Sequence, residues 1–222
     1  MWDKLEKTCL LHTRAGRFLL ALLLGSVLAA VLSFAGFMQN CENLRQNTLR
    51  LHVVAHSDSA FDQSVKLQVR DALLCATQQN FAAAQNLRAA VHTAEKDLSG
   101  AEDAALTVLR RAGADYGARA RLCEMYFPTT RYTDAAGENY TLPAGRYTAL
   151  RVVLGQGRGK NWFCVLFPQL CLPAAEKAPG YSEELESVAR SEVQLRFALV
   201  EWVESLREKG ALPSRNDSLP VP

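Results

Sequence analysis

Apolar and polar positions alternate from Leu49 onward. Leu49, Leu51, Val53 and Ala55 are interleaved with Arg50, His52, Val54 and His56, and this period of two predicts a β-strand with one buried face. Ser57, Asp58 and Ser59 follow, with side-chain oxygens able to accept the free N–H groups of a starting helix. Val65, Val69, Ala72, Leu73 and Ala76 then recur at helical spacing, with Leu67 and Leu74 nearly opposite. Two apolar stripes predict a helix packed on two sides. From Ala82 to about Ala112 the chain is rich in alanine and leucine, and Ser99-Gly100 predicts a turn between two helices.

A second alternation runs from Tyr116 to Phe127, with Ala118, Ala120, Leu122, Glu124 and Tyr126 on one side and Arg119, Arg121, Cys123 and Met125 on the other. Pro128 ends it. The polar stretch Thr129 to Gly145 predicts an extended loop or a ragged hairpin. Arg146 to Leu154 and Trp162 to Phe167 are two further strands, joined through Gly155-Gln156-Gly157-Arg158-Gly159. Glu183 to Glu208 is a long helix candidate, with Val188, Leu195, Leu199, Trp202 and Leu206 on one stripe and Val193 and Val200 on another. Glu192 interrupts the first stripe and marks a place for a break. Residues 213–222 hold three prolines and are expected to be disordered. The pattern is that of a single α+β domain over residues 48–208, about four strands packed by four or five helices.

Ahead of this domain, Phe18 to Phe37 is twenty residues without a charge. As a helix it extends roughly 30 Å, enough to cross the hydrocarbon of a bilayer. Residues 1–17 carry Lys4, Lys7, Arg14 and Arg17, and a basic flank stays in the cytoplasm. Residues 18–37 are therefore either a transmembrane anchor or a signal peptide cleaved near Ser33-Phe34-Ala35. Both alternatives place the domain outside the cytoplasm.

Charge and cysteine content narrow the function further. The first 37 residues have a net charge of +2, and the remaining 21 basic and 21 acidic residues cancel. Nucleic-acid binding requires clustered, uncompensated Lys and Arg, so no nucleic-acid partner is expected. Of six cysteines, Cys41, Cys75, Cys123, Cys164 and Cys171 would lie where disulfides persist. Pro168 favours a turn between Cys164 and Cys171, making these the candidate disulfide, with two separately buried thiols as the alternative. No Cys/His set has zinc-ligand spacing, and neither a metal nor another cofactor is expected.

The candidate chemistry centres on the HSDS turn. His52 and His56 are four apart along a strand, about 13 Å, too far to share one metal. His56 with Asp58 and Asp62 is the set a hydrolase would use for acid–base work, whereas a strand-end histidine followed by a helix cap requires no catalysis. GQGRGK, Gly155 to Lys160, is glycine-rich and basic but lacks the GxxxxGK[ST] frame and joins strands, so it is not a phosphate loop. Asp62 and Lys66 have the spacing of a helical ion pair, and Arg70-Asp71 resembles surface decoration. Trp162, Phe163, Phe167 and Trp202 are candidates for the core or for a protein-binding surface.

Three segments, LRLHVVAHSDSAFDQSVKLQVRDALL, LPAGRYTALRVVLGQGRGKNWFCVLFPQLC and VQLRFALVEW, closely resemble the stage II sporulation protein R family of endospore-forming bacteria. The match runs in order over most of Leu49 to Leu206. The resemblance implies a forespore-to-mother-cell signal, not an enzyme. Such a protein is secreted into the forespore intermembrane space or anchored to the forespore membrane. Its partner is a membrane-embedded aspartic protease that processes the sigma-E precursor. The family commonly has Asn where His56 stands, and often Trp and Pro at the positions of Phe163 and Gln169. An Asn suits a turn better than a metal site. On this reading the partner-binding candidates are Ser57, Asp58, Ser59, Asp62, Lys66, Arg70, Asp71, Asn161, Trp162 and Phe163.

Overall fold

The computed structural model describes residues 13–82, 84–133, 139–168 and 194–210. They form α1 (Arg14–Gln46), β1 (Leu49–Val54), α2 (Ala60–Ala82), α3 (Leu87–Lys96), α4 (Leu98–Ala112), β2 (Ala118–Phe127), β3 (Thr130–Thr133), β4 (Asn139–Leu142), β5 (Gly145–Leu154), β6 (Asn161–Phe167) and α5 (Gln194–Gly210). The α+β class expected from the alternation is the class observed. The chain divides into two compact units, Met1–Asn40 and Cys41–Pro222. In the first, α1 is long and apolar enough to cross a membrane, and its large side chains from Phe18 to Leu32 are exposed.

In the second unit a four-stranded sheet has the order β2-β5-β1-β6. β1 runs parallel to β5 and antiparallel to β6, while β2 is antiparallel to β5. The polar stretch after Pro128 forms the hairpin alternative: β3 and β4 pair as a separate two-stranded sheet, Thr130 opposite Leu142. Helices α2, α3 and α4 cover one face of the main sheet. Leu49, Leu51 and Val53 of β1 meet Val65, Val69 and Leu73 of α2 there. Ala90, Ala94, Ala101 and Ala105 are buried on α3 and α4, where small side chains let the helices approach closely.

Several expectations are corrected. β1 is buried along its whole length, not on one face, because it lies inside the sheet and its second face is roofed by aromatic rings. The helix break falls at Asp97, which ends α3 and begins α4, so Ser99 and Gly100 are already in the first turn of α4. A Cβ on Gly100 would meet the Asp97 carboxylate, so this glycine makes room for a neighbouring side chain instead of breaking the helix. On α5 the buried residues are Phe197, Val200 and Glu204, whereas Leu199, Trp202 and Leu206 are exposed. Glu204 draws this face inward, since it pairs with the buried Arg45. Arg45 also donates to the Ala144 carbonyl at 2.7 Å and pairs with Glu42. Gly145, at φ 145°, leaves the space its side chain needs.

No disulfide joins two described cysteines, and Cys171 lies outside the described residues, as do residues 183–193 and 213–222. Cys164 is buried in the main core. Cys41 is also buried, and that burial pushes its thiol up to about 12.

His52, 3% exposed, sits edge-on to Phe127 with ring centroids 6.1 Å apart. Burial, aided by the nearby Arg151 and Arg50, pushes its pKa down from the ordinary 6.5 to about 4, while a hydrogen bond with Asn161 works the other way. The folded state therefore holds neutral imidazole that the unfolded chain would protonate. Stability is complete above pH 6.5 and falls as the pH drops towards 4, by about 3 kcal/mol for a shift of this size. Denaturant titrations across that window, followed by tryptophan fluorescence, should show this loss, and His52→Phe should remove most of it.

Candidate functional site

The strand–turn–helix around the HSDS turn is built as a clasp. Ser59 is the cap of α2: its hydroxyl accepts the Asp62 N–H at 3.1 Å, and its carbonyl accepts the Gln63 N–H at 3.0 Å. Ser57 accepts the Ser59 N–H and donates its own hydroxyl proton to Asp62. Tyr116 donates to the other Asp62 oxygen. Burial acts to raise the Asp62 pKa, but the hydrogen bonds from Ser57 and Tyr116, with the Ser59 contact and His56 nearby, hold it below the usual carboxylate value. Burial and the Asp62 carboxylate together raise Tyr116 above its usual range.

The GQGRGK loop closes over this turn. Asp58 accepts the Lys160 N–H at 2.7 Å, and Lys66 donates to the Lys160 carbonyl at 3.0 Å and to Gln63 at 2.7 Å. The Arg158 and Gly159 N–H groups donate to the carbonyls of His56 and Ala55. Each glycine admits a specific neighbour. A Cβ on Gly155 would lie 2.1 Å from the His56 ring, one on Gly157 2.5 Å from Val153, and one on Gly159 2.1 Å from the Ser57 carbonyl. Gly155 and Gly157 are also left-handed, at φ 54° and 61°.

His56 is stacked on Tyr116, with centroids 4.2 Å apart and planes 8° from parallel, and its Nδ1 accepts the Gln156 N–H at 3.0 Å. Its Nδ1 lone pair is thus committed to the loop, and the Asp62 oxygens to Ser57 and Tyr116. No group of His, Cys, Asp and Glu among the described residues is arranged to hold a metal. An open cleft of about 500 Å³ lies elsewhere, beside Asn47, Asn86 and Arg88. The HSDS turn is a capped helix end locked to a loop, and its geometry does not favour the hydrolase reading of His56, Asp58 and Asp62.

The structure gathers Ser57, Asp58, Ser59, Asp62 and Lys66 into one network. The expected Asp62–Lys66 ion pair does not form, because tertiary partners claim both groups. Arg70 pairs with Asp71 at 2.7 Å and stacks over Trp162 at 5.0 Å, so these three make an adjoining patch. Asn161 and Phe163 point to the opposite face of the sheet, where Phe163 packs edge-on to Phe127. Sequence reasoning did not identify Tyr116, Gln63 or Lys160 as members of the network. The glycine spacing of 155, 157 and 159 was the available signal for a close approach.

A second constellation was also missed. Arg50, fully buried, lies over Phe127 at 4.0 Å, Tyr147 at 5.0 Å, Phe163 at 5.4 Å and Tyr132 at 5.8 Å, and donates to the Tyr132 hydroxyl.

These features define a class: a small α+β domain carried behind a helix of signal or anchor type, with a rigid clasp where a catalytic constellation was conceivable. The profile of the stage II sporulation protein R family matches residues 45–177, and the chain belongs to that family. It is 27% identical over 188 residues to stage II sporulation protein R of Bacillus subtilis (strain 168), covering 71% of this chain and 80% of that protein. No solved structure matches. Family membership assigns the protein a role in sporulation.

The clasp predicts an ordering of substitutions. Gly159→Ala forces backbone against backbone and should cost about 2 kcal/mol or more, whereas Ser59→Ala, removing one cap, should cost about 1 kcal/mol. Equilibrium denaturation of the two variants checks the order.

Proposed function

We propose that this chain is an exported sporulation signal that activates a membrane-embedded aspartic protease, which then processes the sigma-E precursor. The family match over residues 45–177, behind a helix able to export or anchor the domain, carries this reading. The chain acts by protein contact, either released into the forespore intermembrane space or held at the forespore membrane through residues 18–37. A committed His56 and a capped helix end suit a binding protein better than a catalyst.

The contact surface is the start of α2 with the adjoining β6 end. Phe61 and Leu67 are exposed there, and Arg70 extends over Trp162 beside Asp71. The buried Asp62 and Lys66, with the half-buried Ser57 and the exposed Asp58 and Ser59 beside them, form a frame that orders the surface before binding, which reduces the entropy lost on association. Asn161 and Phe163, also expected at the contact, face away from this patch.

Co-expression of the chain with the protease and the sigma precursor tests the reading. Precursor cleavage should require the chain, and Arg70→Ala should reduce it by about tenfold, the effect of losing roughly 1.4 kcal/mol at an interface. Cleavage independent of the chain overturns the function. Cleavage unchanged by both Arg70→Ala and Asp58→Ala, at normal protein level, overturns the contact surface alone.

A further inference from the structure

The sheet face opposite α2, α3 and α4 holds an arrangement of charge that the fold alone does not require. Register places Arg121 of β2 directly opposite Arg151 of β5, Arg151 beside His52 of β1, and His52 beside Phe163 of β6. Neighbouring strands lie about 4.8 Å apart, and like charges directly opposite one another destabilise a sheet. Arg119 and Arg50 belong to the same face, and none of its strand positions carries Asp or Glu. Among the described residues, Arg45, Arg70, Arg146 and Arg207 each have a carboxylate partner. Arg50, Arg119, Arg121 and Arg151 have none. Arg50 Nε and Nη1, Arg151 Nε and His52 Nδ1 are buried without a hydrogen-bond partner.

Arg50 deepens the effect. Its rings stabilise the cation without neutralising it, and a buried charge lacking a counter-ion projects its field outward through low-dielectric surroundings. The field falls on the face where the half-buried Arg121 and Arg151 and the exposed Arg119 reach solvent. Arginine guanidinium matches the planar geometry of a carboxylate.

We infer that this face is a docking surface for an acidic segment of a partner protein, whose carboxylates meet Arg151 and Arg121 with Arg50 behind them as a fixed source of positive potential. An anionic membrane would call for a more protruding cluster of basic side chains, on the order of four to eight. Here two of the three arginines that reach solvent are recessed, which suits a narrow peptide. The inference stands apart from the signalling reading, because it holds whichever protein supplies the segment and is tested without the protease.

The test uses the full chain in detergent micelles and a fluorescein-labelled peptide of alternating Glu and Ala, with its Gln/Ala counterpart as control. The Glu peptide should bind with salt-sensitive affinity and the Gln peptide should not. Arg121→Gln and Arg151→Gln should each weaken binding by about tenfold while leaving the unfolding midpoint equal or higher, since each relieves a repulsion. Arg50→Met, an apolar replacement of similar length, should keep the fold and weaken binding to a smaller extent. Arg110→Gln with Arg111→Gln, at two exposed positions of α4 away from this face, should leave binding unchanged. Equal binding by the sheet-face variants, or equal loss in the α4 variant, overturns the proposal. Loss of stability in both sheet-face Gln variants assigns these arginines to the fold and overturns it as well. Phosphatidylglycerol vesicles that displace the peptide and themselves depend on Arg151 overturn it in favour of a membrane surface.

Discussion

The burial of β1 on both faces is the constraint from which the rest of the second unit follows. A strand between β5 and β6 satisfies its backbone hydrogen bonds within the sheet, but its side chains need two different covers. On one side Leu49, Leu51 and Val53 meet the apolar faces of the helices, where area removed from water provides the stabilisation. On the other side the same six residues present Arg50 and His52, which no apolar layer can cover without a cost in desolvation. The solutions differ. Arg50 keeps its charge beneath aromatic rings, while His52 gives its charge up, its pKa driven down by burial and by the neighbouring arginines.

The direction of β1 also fixes where the clasp forms. Because β1 is antiparallel to β6, the end of β1 lies beside the beginning of β6, and the HSDS turn emerges next to the loop from β5 to β6. The turn carries the cap of α2, and the loop turns on two left-handed glycines. The Arg158 and Gly159 N–H groups of the loop donate to the His56 and Ala55 carbonyls, and Asp58 and Lys66 tie the loop from the helix side. A surface on α2 is thereby held rigid relative to β6. Within the clasp the Nδ1 of His56 and both carboxylate oxygens of Asp62 are already engaged.

Much of this was legible along the chain. The strands and most of the helices were visible as periods of two or of about three and a half residues, because a sheet or helix that buries one side must place apolar residues at that spacing. The cap at Ser59 was visible because its chemistry is local. The partners of Asp62 were not, since Tyr116 approaches from 54 residues away and competes with the local Lys66. The α5 stripe was chosen wrongly for a related reason. Its apolar positions allow two faces, and the ion pair between Glu204 and Arg45, a contact 159 residues apart in sequence, selects the one that turns inward.

The amino-acid sequence by itself determined the class of fold, the export or anchor helix and the capped turn, all properties of periodicity, composition or neighbouring residues, while the family rests on the likeness of whole segments to known relatives. The tertiary structure alone decided that β1 is buried twice over, that three glycines make room for His56, Val153 and the Ser57 carbonyl, and that unpaired arginines gather on one sheet face. These depend on register between strands distant in the chain. Register brings residues together by topology, which no local pattern encodes.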